Sequence, residues 1–271
     1  MPRSRPALCG SISSHPSPLG VAMHNAAYQV TGLPFTYVAF GIEDTRQAVL
    51  AMRYLGIRGL GVSMPHKIAV MPYLDAVDDT AVKIGAVNTV VNDNGRLTGY
   101  NTDWIGAVQA LEEKTPIAGK RSVVVGAGGA ARAIVYGLIN RQSQVTVYNK
   151  TVSKGKNLAK DFGAQFGGGL AELNAAGDYD IVVNATSVGF HAPDQSVIPP
   201  SILREDKVVL DVVFIPPESK LVRDARSRGC IAIPGTRMLV HQAAYQFELY
   251  TGQPAPFEVM EKALLDRIGK E

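Results

Sequence analysis

Lys120-Arg-Ser-Val-Val-Val-Gly126-Ala-Gly128-Gly-Ala-Ala131-Arg132 is the stretch on which the reading of this chain turns. Three β-branched residues, Val123 to Val125, run into a glycine-rich turn, and small residues then open a helical run from Ala130 to Asn140. Strand, tight turn and helix in that order form the phosphate-binding start of a dinucleotide fold. Gly126 permits the turn. Gly128 has no Cβ and lets a pyrophosphate approach the backbone. Ala131 is small enough for helix and strand to pack closely. The first-turn N–H groups, at the positive end of the helix, then face the phosphates. Gly-x-Gly-x-x-Ala alone also suits an ordinary strand-to-helix turn; a second strand, Gln144 to Tyr148, at βαβ spacing favours the nucleotide.

The end of that second strand bears on which nucleotide. An NAD site places Asp or Glu there, to hold the ribose 2′-hydroxyl. This chain has Tyr148-Asn149-Lys150-Thr151-Val-Ser153-Lys154, with no acid and two cations. Such a loop suits a 2′-phosphate, so NADP is expected, with NAD left open.

Outward from this motif, composition sets the bounds. A chain of 271 residues, 46% hydrophobic and 19% charged, is long enough for two domains with separate cores. The formal charge of +3 is small, and no basic run interleaved with aromatics points to nucleic acid. No apolar run is long enough to span a bilayer. The Met1-Pro-Arg-Ser-Arg-Pro6 segment is positively charged but lacks a following apolar stretch, so it does not read as a signal peptide and a cytoplasmic location is expected. Cys9 and Cys230 sit in apolar, strand-like contexts and are expected to be buried free thiols. No His/Cys/Asp cluster suggests a metal.

Upstream, strands and helices alternate. Ala7 to Gly10 reads as a strand and Ser11 to Pro18 as a polar loop. Ser17, ahead of Pro18, caps a helix running to about Val30 and stopping at Thr31-Gly32. Phe35 to Phe40 is a strand, Ile42 to Leu55 a helix and Leu60 to Ser63 a strand. A helical segment closes at Gly85. Strands Ala86 to Val91 and Arg96 to Tyr100 flank Asn94-Gly95, a hairpin signal. Asn101-Thr102-Asp103 caps a helix from Trp104 to about Lys114. Downstream, Asp180 to Asn184, Val208 to Asp211 and Ile231 to Ile233 are strands, and Met238 to Tyr250 and Phe257 to Ile268 are helices. The expectation is an α/β protein of two domains with a cleft between them. A substrate-binding domain covers residues 1–101, with 239–271 packing back on it. A Rossmann-type domain covers 102–238.

Ser63-Met-Pro65-His66-Lys67 follows a strand end, where open α/β sheets bind ligands. A closed, dry site would make the Lys67 ammonium easier to deprotonate, as proton transfer needs. Taken singly, Lys67 reads as a surface lysine, Asp103 as an N-cap and Asn88 as a strand-end polar group. Together they lie at strand or hairpin ends that can face one nucleotide.

These stretches form an ordered set: Gly61-Val-Ser63-Met-Pro65-His66-Lys67, Gly85-Ala-Val-Asn88-Thr89, Tyr100-Asn-Thr-Asp103, Gly126-Ala-Gly-Gly-Ala130, Asn149-Lys-Thr-Val-Ser-Lys154, Asn184-Ala-Thr-Ser187-x-Gly189 and Met238-Leu-Val-His-Gln242-Ala-Ala. In this order they resemble the shikimate dehydrogenase family over essentially the whole chain. The resemblance implies NADP-linked interconversion of shikimate and 3-dehydroshikimate, with quinate and NAD used by some relatives. It implies Lys67 as the catalytic lysine and Asp103 as its partner carboxylate. It implies Ser63, Asn88 and Gln242 as groups holding the substrate, with Ser17 or Ser13 at its carboxylate. On the cofactor side it implies Gly126, Ala127, Gly128, Gly129 and Ala130 at the pyrophosphate, and Asn149, Lys150, Thr151 and Lys154 at the 2′-phosphate. Thr186, Val212, Gly235 and Met238 complete that side. The implied partner is a small-molecule substrate, with no nucleic acid or membrane, for a monomer or homodimer.

Several positions depart from the family pattern. Ser-His-Pro-Ser17-Pro18 replaces Ser-x-Ser-Pro, Ser63 stands where Thr is commoner, and His66 stands where Phe is common. Phe214 replaces a tyrosine. Lys150 and Lys154 replace two arginines, keeping charge but losing the planar fork. The rival readings are a dehydrogenase of quinate or another cyclic hydroxy acid, a catalytically weak NADP-binding sensor, and a folate-type NADP enzyme, for which no lysine motif can be placed.

Overall fold

The computed structural model describes residues 6–270. Most of the charged amino-terminal segment, Met1 to Arg5, therefore lies outside the described residues. The chain divides into two compact units: residues up to Thr102 together with those from Val240 onward, and Asp103–Leu239.

The first unit opens with β1 (Ala7–Ser13), α1 (Pro18–Thr31), β2 (Phe35–Gly41), α2 (Thr45–Leu55), β3 (Gly59–Val62) and the four-residue α3 (His66–Ala69). It continues with β4 (Ala76–Val77), α4 (Asp79–Ile84), β5 (Thr89–Asp93) and β6 (Arg96–Tyr100). The sheet runs β2-β1-β3-β5-β6-β4. β1 lies parallel to β2 and β3, while β5 is antiparallel to both β3 and β6. The Asn94-Gly95 turn closes the β5–β6 hairpin with φ of 54° and 94°, the left-handed pair a two-residue turn needs.

Several boundaries differ from the sequence expectation. β1 continues three residues further, because Ser11-Ile12-Ser13 pairs with β2 and, through Ser11 and Ile12, with β3 on the other side; Ser11-Ile-Ser is strand, not loop. α2 starts at Thr45 rather than Ile42, since the Asp44 carboxylate accepts from Gln47 N at 3.1 Å and sets the cap there. β5 begins at Thr89, not Ala86. Ser17 does cap α1, accepting from Leu19 N at 3.3 Å, and Gly32 ends it at φ 66°.

Edge strand β2 is uncharged, a pattern open to unwanted pairing. Asn25 on α1 covers it: its Nδ2 donates to Tyr37 O at 2.9 Å and its Oδ1 accepts from Tyr37 N at 2.8 Å. Behind β2, His24 is fully buried and stacks on the Tyr37 ring at 4.3 Å, with Tyr28 and Tyr250 beside it. Burial pushes the imidazole down to about 3, so it is neutral.

The second unit holds α5 (Asp103–Glu112), β7 (Arg121–Val125), α6 (Gly129–Asn140), β8 (Gln144–Tyr148), α7 (Val152–Phe162) and β9 (Gln165–Gly168). β10 (Ile181–Asn184), β11 (Val208–Asp211), α8 (Lys220–Ser227) and β12 (Ile231–Ile233) follow. The sheet is parallel throughout, in the order β12-β11-β10-β7-β8-β9. Counted from β7 this is 6-5-4-1-2-3, the doubly wound dinucleotide-binding order, which reverses between β10 and β7. Successive residues alternate between two cores: Val124 packs with Ile134, Leu138 and Leu111, and Val123 and Val125 with Tyr179, Val209 and Leu221. Gly137 lets α6 approach α5; a Cβ there would lie 2.8 Å from Val108 Cγ2.

α9 (Gly235–Thr251) begins in the second unit and ends in the first, and α10 (Phe257–Ile268) packs on α1. Arg58 fixes the end of α9, donating from Nε to Tyr250 O at 2.8 Å.

The buried histidine sets an acid limb on stability. The unfolded chain takes up a proton near pH 6.5 and the folded chain does not until about 3, so stability falls as pH drops through that window. At about 1.4 kcal/mol per pH unit, the loss at pH 4 is expected to be about 3 kcal/mol. Urea titrations of the unaltered chain and of His24→Phe between pH 4 and 7 test this. The variant is expected to lose less stability over that range, and parallel curves would refute it.

Candidate active site

The carboxyl ends of β1 and β3 adjoin in the first unit. Ile12 pairs with Val62, so Ser13 and Ser63 leave neighbouring strands side by side, and Ser63 N donates to Ile12 O at 2.9 Å. Ser13 is buried and Ser63 exposed. Ser17 is exposed and its hydroxyl already serves as the α1 cap. Lys67 is the second residue of α3, too short to hold itself. Two contacts fix the turn: Lys67 O accepts from Val87 N at 2.9 Å, and buried His66 pairs through Nδ1 with Thr45 Oγ1 at 2.8 Å.

Val87 leads directly to Asn88, which is buried. Asn88 Oδ1 accepts from Thr102 N at 2.7 Å and Thr89 Oγ1 at 2.8 Å, and Nδ2 donates to Thr102 Oγ1 at 3.0 Å. One bonded run thus leads from Lys67 to Thr102, the residue before Asp103. Asp103 opens α5 and is buried. Gln242 is half-buried on α9. One turn on, buried Gln246 donates from Nε2 to Thr89 Oγ1 at 2.9 Å, joining α9 to this network. Sequence reading missed Gln246; its spacing of four from Gln242 was the available signal.

In the second unit the glycine turn follows β7. Gly126 has φ 126°, and a Cβ there would lie 2.8 Å from Ala185 O. Gly128 caps α6 in an extended conformation, and a Cβ at Gly128 or Gly129 would meet no heavy atom within 4 Å. That open space above the first turn, beside Ala127 and Ala130, fits a pyrophosphate on the free N–H groups. After β8, Asn149 Nδ2 donates to Thr151 O at 2.8 Å, and Lys150, Thr151 and Lys154 are exposed. Only 149–151 is loop; Lys154 lies in the first turn of α7, a helix the sequence reading did not foresee.

Thr186 follows β10, donating from N to Asn184 Oδ1 at 3.0 Å and from Oγ1 to the same atom at 2.7 Å. Val212 follows β11, its N–H donating to Asn184 O at 3.1 Å. Gly235 begins α9 against the Val213 carbonyl, to which its N–H donates at 3.2 Å, and a Cβ would collide there. Met238 is buried in the core beside Val124 and Ala131. Phe214 meets Phe190 edge-on, with centroids 5.3 Å apart. Sequence reading overlooked Asp211, whose buried carboxylate accepts from Asn184 Nδ2, Val213 N and Ser219 Oγ at 2.8, 3.0 and 2.6 Å. Burial pushes its carboxyl up, opposed by those bonds.

Cys9 and Cys230 are buried and unpaired with each other. Among the described residues no group of three or more His, Cys, Asp or Glu side chains could hold a metal ion, and no helix is long and apolar enough to cross a membrane.

Three family profiles match: one inside each unit, and one that runs across the boundary along α9 and into α10. Residues 11–90 match the shikimate dehydrogenase substrate binding domain, 109–199 the shikimate / quinate 5-dehydrogenase profile, and 235–265 the shikimate 5′-dehydrogenase C-terminal domain. A shikimate dehydrogenase (NADP(+)) of Pyrococcus abyssi is 42% identical over 264 residues, covering 97% of this chain and 98% of the relative. A solved shikimate dehydrogenase in complex with NADP+ superposes with a TM-score of 0.91 at 37% identity, covering 97% of this chain and 96% of that one. The shikimate 5-dehydrogenase of Thermus thermophilus, solved with NADP(H) and shikimate, gives 0.89 at 32% identity, covering 96% and 99%.

Gly126 and Gly128 separate fold from ligand. Gly126→Ala strains the turn in the apo protein and is expected to cost about 1–3 kcal/mol of stability. Gly128→Ala enters open space, so its melting temperature is expected to stay near that of the unaltered chain while NADPH affinity falls. Melting curves and NADPH fluorescence titrations check both; undiminished NADPH binding by Gly128→Ala would place the pyrophosphate elsewhere.

Proposed function

The chain belongs to the shikimate dehydrogenase family, and from that premise we propose that it is an NADP-dependent oxidoreductase interconverting shikimate and 3-dehydroshikimate. The observation that carries this reading is the bonded run from Lys67 through Val87 and Asn88 to Thr102, next to Asp103. It ties the backbone of the turn that carries Lys67, by way of the residues that lead into β5, to the residue before Asp103.

Bound NADP supplies the hydride acceptor, and NADPH the hydride donor, at the nicotinamide ring. In the oxidation direction Lys67 removes the proton from the reacting hydroxyl, and in reduction it returns it. Asp103 orients the lysine and balances its charge. Ser63, Asn88 and Gln242 hold the ring hydroxyls and carboxylate, with Ser13 or Ser17 completing the carboxylate site. Asn88 suits this role because its carboxamide is already locked by Thr89 and Thr102 and needs no reordering. The turn from Gly126 to Ala130 holds the pyrophosphate. Asn149, Lys150, Thr151 and Lys154 hold the 2′-phosphate, the lysines as point charges. Thr186, Val212, Gly235 and Met238 flank the nicotinamide. The unit that runs to Thr102 and resumes at Val240, one residue from the bounds expected at 101 and 239, is the substrate domain, and Asp103–Leu239 is the cofactor domain. The same reading gives a cytoplasmic monomer or homodimer with no membrane or nucleic-acid partner.

An absorbance assay at the NADPH band, run with shikimate and quinate and with each nicotinamide cofactor, tests substrate and cofactor together. The highest kcat/KM is expected for shikimate with NADP. Lys67→Ala is expected to lower kcat by about 10²–10⁴-fold, with NADPH affinity nearly unchanged. Parallel losses in both would remove Lys67 from the chemical step.

A further inference from the structure

We propose that Asp211, which sequence reading gave no role, is a positioning residue for the dinucleotide. It clamps the three backbone segments that the proposed function puts beside the nicotinamide. This rests on that reading of Thr186, Val212 and Gly235.

The clamp is built from one buried carboxylate. Oδ1 accepts from Asn184 Nδ2 at 2.8 Å and from Val213 N at 3.0 Å; Oδ2 accepts from Ser219 Oγ at 2.6 Å. The Asn184 carboxamide, oriented by the first of these bonds, presents Oδ1 to both the N–H and the hydroxyl of Thr186. Thr186 Oγ1 then accepts from Val188 N at 3.1 Å, which rounds off the turn after β10. Val213, held by the second bond, offers its carbonyl to Gly235 N at the start of α9. Val212 lies between Asp211 and Val213, and its own N–H is held by the Asn184 carbonyl. The third bond fixes the Ser219 hydroxyl, which caps α8 by accepting from Val222 N at 3.2 Å.

The geometry makes the carboxylate's oxygen, rather than its charge, the essential feature on the loop side. Both loop-side donors converge on Oδ1, and the only contact of Oδ2 among those named is a hydroxyl that can reverse its role. Asparagine at this position keeps the Oδ1 acceptor and meets Ser219 Oγ with an N–H. Alanine removes the acceptor and leaves the Asn184 amide and the Val213 N–H to find other partners, releasing Thr186, Val212 and Gly235 from one another. A displacement of order 1 Å at a cofactor-bearing loop is enough to cost binding or turnover heavily.

The test compares Asp211→Ala, Asp211→Asn, Asn184→Ala and the double Asp211→Ala/Asn184→Ala variant in the full chain. NADPH binding is read by fluorescence titration below each variant's melting temperature, and steady-state KM for NADP+ and for shikimate is measured alongside. Asp211→Ala is expected to weaken NADPH binding about tenfold or more, Asp211→Asn to stay within about threefold of the unaltered chain, and the double variant to be little worse than the weaker single. KM for NADP+ rises while KM for shikimate holds. Should Asp211→Ala not fold, Asn184→Ala breaks the same bridge and carries the same expectation. An alanine variant that melts earlier yet binds NADPH normally, or losses that add in the double variant, would overturn the proposal. An unaltered chain that binds no NADPH would overturn the cofactor reading first and this inference with it.

Discussion

A buried carboxamide with no room for water must find protein partners or cost the fold about 1–3 kcal/mol. Both units use that constraint at the ends of strands or hairpins. In the first unit Asn88 Oδ1 takes the N–H of Thr102 and the hydroxyl of Thr89; in the second, Asn184 Oδ1 takes the N–H and hydroxyl of Thr186. Each asparagine thereby fixes the course of the chain beyond the strand or hairpin it serves. A hydrophobic residue at either position would bury area as well, but it would leave the threonine N–H without a directed partner. Order at these sites comes from satisfying polar groups, and the apolar cores beneath supply the rigid floor.

The two units differ in how much of this their sequences display. The parallel sheet announces itself because its strands are largely buried on both faces: Val123 to Val125 and Val208 to Leu210 are short apolar runs bounded by polar residues or glycine, and Val145-Thr-Val147 is interrupted by a single β-branched threonine. The Asn94-Gly95 hairpin and the caps at Ser17 and Gly32 are local signals and are equally legible. β9 is not, because Gln165-Phe-Gly-Gly has two glycines and one large apolar residue; it is a strand only because β8 offers it an edge. The end of β1 is hidden similarly: Ser11 and Ser13 look like loop until the neighbouring strands claim their backbone. α7 is masked in the sequence because its lysines read equally well as a binding loop.

The candidate site divides along the same line. Lys67, Asn88, Asp103 and the glycine turn stand in short ordered motifs, so a reader of the sequence meets them directly. Gln246, Asn25 and Asp211 hold their neighbours through bonds spanning 157, 12 and 27 residues. No spacing rule connects such partners; only the folded backbone brings them together. The side chains proposed to touch ligand are thus motif-borne, while several that hold those side chains in place are not.

That division bears on how the chain's departures from its family should be weighed. Lys150 and Lys154 are exposed, and an exposed ammonium near a phosphate contributes through charge that salt screens, with less directional preference than a guanidinium fork. On the proposed reading their consequence is confined to the strength of cofactor discrimination. Phe214 sits instead in an aromatic contact with Phe190, on the loop that Asp211 and Val213 hold. Phenylalanine here keeps that ring contact and offers no hydroxyl. If the proposed site holds, the effect of Phe214 is on which ring substituents are recognised rather than on the proposed acid–base pair. On the proposed reading, recognition of the ring and the chemistry at its hydroxyl fall to differently anchored residues: Phe214 lies on the loop after β11, and Lys67 lies in the turn after β3.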